Sequence, residues 1–167
     1  MLELYELQGL IPDVLGEGFS AYKSSLIVSA DTTIENWNVS SPYFSGSNFN
    51  GTTGFYTVPK TGVYQMQAII SYNAGTITTQ LGANNPTFII KRTSPTAADL
   101  VTGELPVLDV SIVALITLKT LLSSSTVTMT DSLQLTQGDT IGLLYNANNL
   151  ALTLTLQNIL WAIYPLE

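Results

Sequence analysis

The sequence predicts an all-β fold, a sandwich of two antiparallel sheets with roughly eight to ten strands. Three observations carry this. Apolar and polar residues alternate with period two through the long segments, the repeat of a half-buried strand. Thr, Val, Ile, Leu and Tyr dominate beyond residue 18, the residues that suit a pleated surface. Gly, Pro, Asn and Ser interrupt them at short intervals, as turns between short strands require. At 167 residues the chain is sized for one domain. We divide it into an N-terminal arm or anchoring segment, 1–17, and a sandwich domain, 18–167.

The elements follow in order. In the arm, Leu4, Leu7, Leu10 and Ile11 recur at helical spacing until Pro12, Gly16 and Gly18 break the pattern. Such a segment either packs on its own domain or docks on another protein. Phe19 to Val28 is the first strand, and Asn36 to Thr53 reads as a polar loop dotted with aromatics. Phe55 to Val58 is a short strand ended by Pro59. Val63 to Asn73 sets Tyr64, Met66, Ala68, Ile70 and Tyr72 on one face against Gln65, Gln67, Ser71 and Asn73 on the other. Phe88 to Arg92 is a strand, followed by a loop with Pro95 and most of the central acids. Leu108 to Leu118 reads as one strand, apolar enough to be covered on both sides. Thr126 to Leu135 turns Val127, Met129, Leu133 and Leu135 inward. Gln137-Gly138-Asp139 is a tight turn before Ile141 to Tyr145. Asn146 to Asn149 is another turn, and Leu150 to Tyr164 closes the sheet.

Composition excludes a good deal of chemistry. There is no cysteine and no histidine, so disulfides, thiol nucleophiles, zinc clusters and a Ser-His-Asp triad are out of reach within one chain. Five Lys and Arg against twelve Asp and Glu give a net charge of −7. That balance does not neutralise phosphate, so we expect no nucleic-acid partner. Residues 140–166 are uncharged over a length that could span a bilayer, but Leu150, Leu152, Leu154 and Leu156 alternate with Ala151, Thr153, Thr155 and Gln157. That is a strand, so we expect no membrane insertion. The N-terminus lacks the basic and apolar regions of a secretory signal. Two sequons, Asn38-Val39-Ser40 and Asn50-Gly51-Thr52, could accept glycans.

Carboxylates are the remaining acid-base material: Asp31 with Glu35, the loose set Asp99, Glu104 and Asp109, and Asp131 with Asp139 beside a hairpin. Glycoside hydrolysis needs two carboxylates held across a cleft, and no spacing here fixes one. We therefore assign no catalytic or cofactor-binding residue and expect no enzyme.

Three segments, read together, resemble a known family. Gly18-Phe19-Ser20-Ala21-Tyr22-Lys23 resembles the opening strand of the C1q-like globular heads. Thr53 to Tyr64 (TGFYTVPKTGVY) matches that family's Gly-Phe, Pro and Gly-Val-Tyr at fixed spacing, and Leu133 to Ile141 (LQLTQGDTI) resembles its later hairpin. The closing segment, Asn158-Ile159-Leu160-Trp161-Ala162-Ile163-Tyr164, departs from the Phe-x-Gly-Phe pattern usual in the family. The sequence holds no collagen-like Gly-X-Y run, so the resemblance implies a free-standing head.

The resemblance implies a C1q/TNF-like jelly-roll sandwich of ten strands, assembled as a homotrimer. A chain 46% apolar and 10% charged has more hydrophobic surface than one core hides, which suits a subunit interface. Tyr56, Tyr64, Tyr72, Tyr145, Trp161 and Tyr164 are candidates for the core or the trimer interface. Some C1q-like heads bind Ca²⁺ through loop acids; Asp99, Glu104 or Asp139 could serve, although no calcium-loop spacing is present. The expected function is a structural protein on the surface of a particle, a virion component, capsid-associated or a fibre head. The arm 1–17 could tie it to another particle protein. The alternative is a trimeric module that recognises a receptor or glycan through loops around 36–53, 73–87 and 93–106, including a bacterial spore-surface protein. Fold analogy carries most of this functional expectation.

Overall fold

A computed structural model describes residues 14–74, 85–112 and 116–166. One helical turn, α1 (Val14–Glu17), precedes strands β1 (Phe19–Val28), β2 (Thr32–Thr33), β3 (Phe44–Ser45), β4 (Phe49–Asn50), β5 (Phe55–Thr57) and β6 (Gly62–Asn73). Then come β7 (Thr87–Ser94), β8 (Ala98–Glu104), β9 (Val107–Ile112), β10 (Ile116–Leu121), β11 (Ser124–Leu135), β12 (Thr140–Asn146) and β13 (Leu154–Pro165). Sheet I has the order β11-β6-β13-β1-β3; sheet II has the order β4-β5-β12-β7-β8, with β2 also pairing with β12. The hairpin β9–β10 forms a two-stranded sheet of its own. These pairings are antiparallel.

The period-two residues do what their spacing requires. Along β6, Tyr64, Met66, Ala68, Ile70 and Tyr72 are buried, while Val63, Gln67 and Asn73 stay exposed. On β13, Leu154, Leu156, Ile159, Trp161 and Ile163 are buried. The step from Leu156 to Ile159 breaks strict alternation, because a bulge between Gln157 and Leu160 inserts Asn158 at φ 49°. The buried rows of both sheets meet in one core around Trp161, whose ring lies edge-on to Phe19 at 4.9 Å and to Phe49 at 5.5 Å. Phe19 and Phe49 stack at 3.8 Å.

Two glycines hold special positions. Gly138, at φ 89°, makes the turn before β12, and the Thr136 amide donates to Asp139 Oδ2 at 3.0 Å. Asp139 is only 2% exposed and meets Arg92 Nη1 at 3.5 Å, so a carboxylate is what fastens this turn. At Gly103 on β8, a Cβ would lie 2.6 Å from Val127 Cγ1 and 2.7 Å from Met129 Cγ. The bare backbone lets the edge strands of the two sheets, β8 and β11, close on each other.

The structure corrects three readings. The loop predicted over 36–53 contains β3 and β4. The loop predicted around 93–106 contains β8, whose Asp, Thr, Gly and Glu read as loop but pair with β7 on a sheet edge. The single strand predicted over 108–118 is the hairpin β9–β10, with Leu118 opposite Val110 and Lys119 opposite Asp109. No Gly or Pro marks this reversal, so alternation alone could not locate it.

β11 is the free edge of sheet I. Its register puts Asp131 opposite Met66, in the row that otherwise faces the core, yet Asp131 is exposed. At the arm, residues 1–13 lie outside the described residues, and α1 packs on β13 and β3. The segment 140–166, weighed above as a membrane span, holds β12 and β13. Among the described residues no helix is long and apolar enough to cross a membrane.

Candidate interaction surface

The outward face of sheet I is assembled by register. One row runs Thr128, Ile69, Leu160, Tyr22 across four strands, and the next runs Thr130, Gln67, Ala162, Ser20. Ser132, Gln65 and Tyr164 follow on one side; Thr126, Ser71, Gln157 and Ser25 follow on the other. None of these residues carries a formal charge. In a chain of net charge −7, a neutral surface across four strands removes the Coulombic cost of bringing two copies together.

Some of the polar groups of this face satisfy one another. Gln65 Nε2 donates to Thr130 Oγ1 at 2.8 Å, and Ser132 Oγ donates to Gln65 Oε1 at 2.7 Å. Ser71 Oγ and Thr126 Oγ1 are 2.9 Å apart. A partner that covers such pairs strips little water from unpaired groups, which lowers the desolvation cost of burial. Apolar residues lie between them: Ile69 and Leu160 are half-buried, Val63 is 40% exposed and Ile27 68%. Ser20, Gln67, Ile69, Leu160 and Ala162 border a hollow of about 130 Å³. At the β1 edge the Tyr22 and Tyr43 rings stack at 5.3 Å, and Tyr22 Oη donates to Asn158 Oδ1 at 3.1 Å. Stiff aromatics with a polar tip are the side chains that anchor protein interfaces.

The candidate aromatics divide. Tyr56, Tyr64, Tyr72, Tyr145 and Trp161 are buried in the core, and Tyr164 is half-buried on the outward face beside Gln65. Tyr56 Oη donates to the Glu17 carbonyl and Tyr64 Oη to the Lys60 carbonyl, each at 2.7 Å. Burial pushes the Tyr56, Tyr64 and Tyr72 hydroxyls up, and burial with the nearby Asp31 charge pushes Tyr145 up to about 12. Sequence reading missed Tyr22, Tyr43, Ile69 and Leu160. Their signal was present as apolar or aromatic residues in outward register, but it needs the cross-strand alignment to become a surface.

The acids do not converge. Asp99 pairs with Lys91 at 3.2 Å on sheet II, Asp139 is buried against Arg92, and Asp31 Oδ1 accepts from the Ala147 amide at 2.8 Å. Among the described residues no three carboxylates come together as a metal site. The three loops named above for recognition do not share an end either. Thr87 pairs with Asn146 at one end of β7, and Ser94 pairs with Thr140 at the other, so the segments flanking β7 lie at opposite ends of the sandwich. Residues 75–84 of the middle loop lie outside the described residues. At the Asn146 end, Ser29, Ala30, Asp31, Ala147, Asn149 and Leu150 border a shallow hollow of about 490 Å³.

No sequence-family model matches the chain, and no curated protein matches it in sequence. Solved structures match its shape. Eiger TNF from S. frugiperda is similar at 16% identity with a TM-score of 0.57, over 90% of this chain and 94% of that one. The globular domain of zebrafish complement 1qA is 16% identical with a TM-score of 0.52, over 87% and 94%. Murine APRIL is 14% identical with a TM-score of 0.56, over 89% and 99%. The fold is a divergent C1q/TNF-like jelly roll.

Proposed function

We propose that this chain is a non-enzymatic head that assembles as a homotrimer through the outward face of sheet I and is displayed on the surface of a particle. The observation that carries the reading is the neutral face: four adjacent strands of an acidic protein place no charge on it. The number three comes from the likeness to C1q/TNF-like heads. A virion, with the head as a fibre tip or capsid-associated protein, suits a domain with no cysteine, because such a domain reaches its fold in a reducing cytoplasm without disulfides. Sedimentation at micromolar concentration tests the assembly. A species of three times 18.0 kDa is expected, and a monomer overturns the reading. Detection of the chain in purified particles tests the location; a chain found only free in solution overturns it.

A second reading, glycan recognition by the same head, rests on the shallow hollow lined by Asp31 and Asn149 among others. Carboxylates and amides in a shallow site suit the hydroxyls of a sugar. A glycan array separates the two: a sharp preference lost in Asn149→Ala supports recognition, and silence supports a structural role.

A further inference from the structure

Among the described residues, Asn38, Asn50 and Asn146 each close a turn with the side chain, on the amide two residues further along. Asn38 Oδ1 accepts from the Ser40 amide at 3.0 Å, Asn50 Oδ1 from Thr52 at 3.0 Å, and Asn146 Oδ1 from Asn148 at 2.8 Å. Such a turn folds the side chain back over the next peptide, so the amide carbon Cγ faces the nitrogen of the following residue. That nitrogen is the nucleophile when an asparagine closes to a succinimide ring. The turns differ in what stands there. After Asn38 comes Val39, whose branched Cβ crowds the approach. After Asn146 comes Ala147, whose amide is held by Asp31 Oδ1 at 2.8 Å. After Asn50 comes Gly51, with no Cβ and with an amide that donates to no group among the described residues.

We propose that Asn50 is a self-modification site, which converts in the folded chain to an aspartyl or isoaspartyl residue through a succinimide formed with Gly51. Gly51 N attacks Cγ, the N–Cγ bond forms, and Oδ1 takes the charge of the tetrahedral centre. Two amides already hold that oxygen, Thr52 at 3.0 Å and Thr53 at 3.2 Å, so the turn supplies its own oxyanion hole. The Cγ–Nδ2 bond then breaks, and Nδ2 leaves as ammonia with the proton that Gly51 N gives up. Water opens the ring, and Asn50 is exposed to it. Attack at the side-chain carbonyl gives the aspartyl product. Attack at the main-chain carbonyl gives the isoaspartyl product, whose backbone is longer by one methylene. Either product adds one negative charge at neutral pH. The longer backbone falls where the chain is closely tied. Asn50 pairs with Phe55, its carbonyl accepts from the Gly54 amide at 2.8 Å, and the Gly51 carbonyl accepts from the Trp37 amide at 2.7 Å. Phe49, one residue before, stacks on Phe19 and meets Trp161 in the core. Isoaspartyl formation therefore loosens the core from the β4 flank and leaves the outward face of sheet I untouched.

Peptide mapping by mass spectrometry, on the purified chain incubated at neutral pH in ¹⁸O-labelled water, tests this. Position 50 should exchange its amide for a labelled acid at least tenfold faster than Asn38 or Asn146, with isoaspartyl product present. A comparable rate at either of those two, or an aspartyl product alone, overturns the proposal. The native chain should convert no more slowly than the chain unfolded in guanidinium chloride. A slower native rate means that the turn protects Asn50, and overturns it as well. Gly51→Ala tests the approach to Cγ within an intact fold, because a Cβ at position 51 would stand 3.4 Å from the Trp37 carbonyl oxygen, an ordinary contact. Conversion should slow at least tenfold while circular dichroism is unchanged; an undiminished rate removes Gly51 from the reaction and overturns the proposal.

Discussion

The two sheets of this sandwich share a core but present different outward faces. Across sheet II a row runs Phe55, Gly142, Lys91, Asp99, ending in an ion pair at 3.2 Å, and Glu104 stands exposed opposite Thr87. Across sheet I the rows of hydroxyls, amides, Ile69 and Leu160 hold no charge. The two outward faces thus differ in whether they carry any charge. A face that must stay in water keeps charges, because they hold hydration and repel like surfaces; a face that must be covered cannot bury them unpaired. Low charge is a trait of the whole chain, and the contrast is that the outward face of sheet I carries none at all while that of sheet II keeps an ion pair and Glu104.

The strongest way to break the contrast is to charge the neutral face. Ile69→Lys with Leu160→Lys should reduce association by at least a thousand-fold, about 4 kcal/mol, since unpaired cations would be buried between copies. Sedimentation reads the loss while circular dichroism shows an intact fold; retained assembly would remove sheet I from the interface. In the core both sheets depend on Trp161, and Trp161→Ala should cost about 3–5 kcal/mol in urea unfolding. Asp139→Ala removes the acceptor of the Thr136 amide and the partner of Arg92, and should cost about 2 kcal/mol by the same measurement.

Alkali probes the buried tyrosines. A hydroxyl raised by folding keeps its proton while the unfolded chain loses it, so stability is full below about pH 10 and falls as pH rises toward about 12. Tyrosinate absorbance from Tyr145 should appear together with unfolding and not before it. The smallest effect is expected on sheet II. Lys91→Ala breaks a partly exposed ion pair and should change stability by less than about 1 kcal/mol and association not at all. A dissociated Lys91→Ala variant would place the interface on the wrong sheet.

The long strands were legible because their chemistry is periodic. Tyr64, Met66, Ala68, Ile70 and Tyr72 alternate without interruption, and Gly138 beside Asp139 marks a turn that only a few residue types can make. β8 was hidden because an edge strand needs one partner and tolerates Asp, Thr and Gly. The β9–β10 reversal was hidden because its residues are apolar on both sides of the turn. Among the candidate site residues, the sequence left Tyr56, Tyr64 and Trp161 open between core and interface, and only the packing sends them inward. The neutral face depends on which rows align, and that alignment passes through the bulge at Asn158, where the residue count slips. No single strand records it; only the pairing of Leu160 with Ile69 and of Ile69 with Thr128 does.

The misplaced acid on β11 has a consequence for growth. An end strand of twelve residues, rich in Ser and Thr, is a template on which another chain could continue the sheet, and the next chain after it. Any strand added there would extend the core-facing row past Asp131 and enclose its carboxylate between layers, at the cost of an unpaired charge out of water. A polymer would meet that obstacle again at every joint. The assembly proposed through sheet I would then stay closed, because the free edge of that sheet resists continuation into fibres.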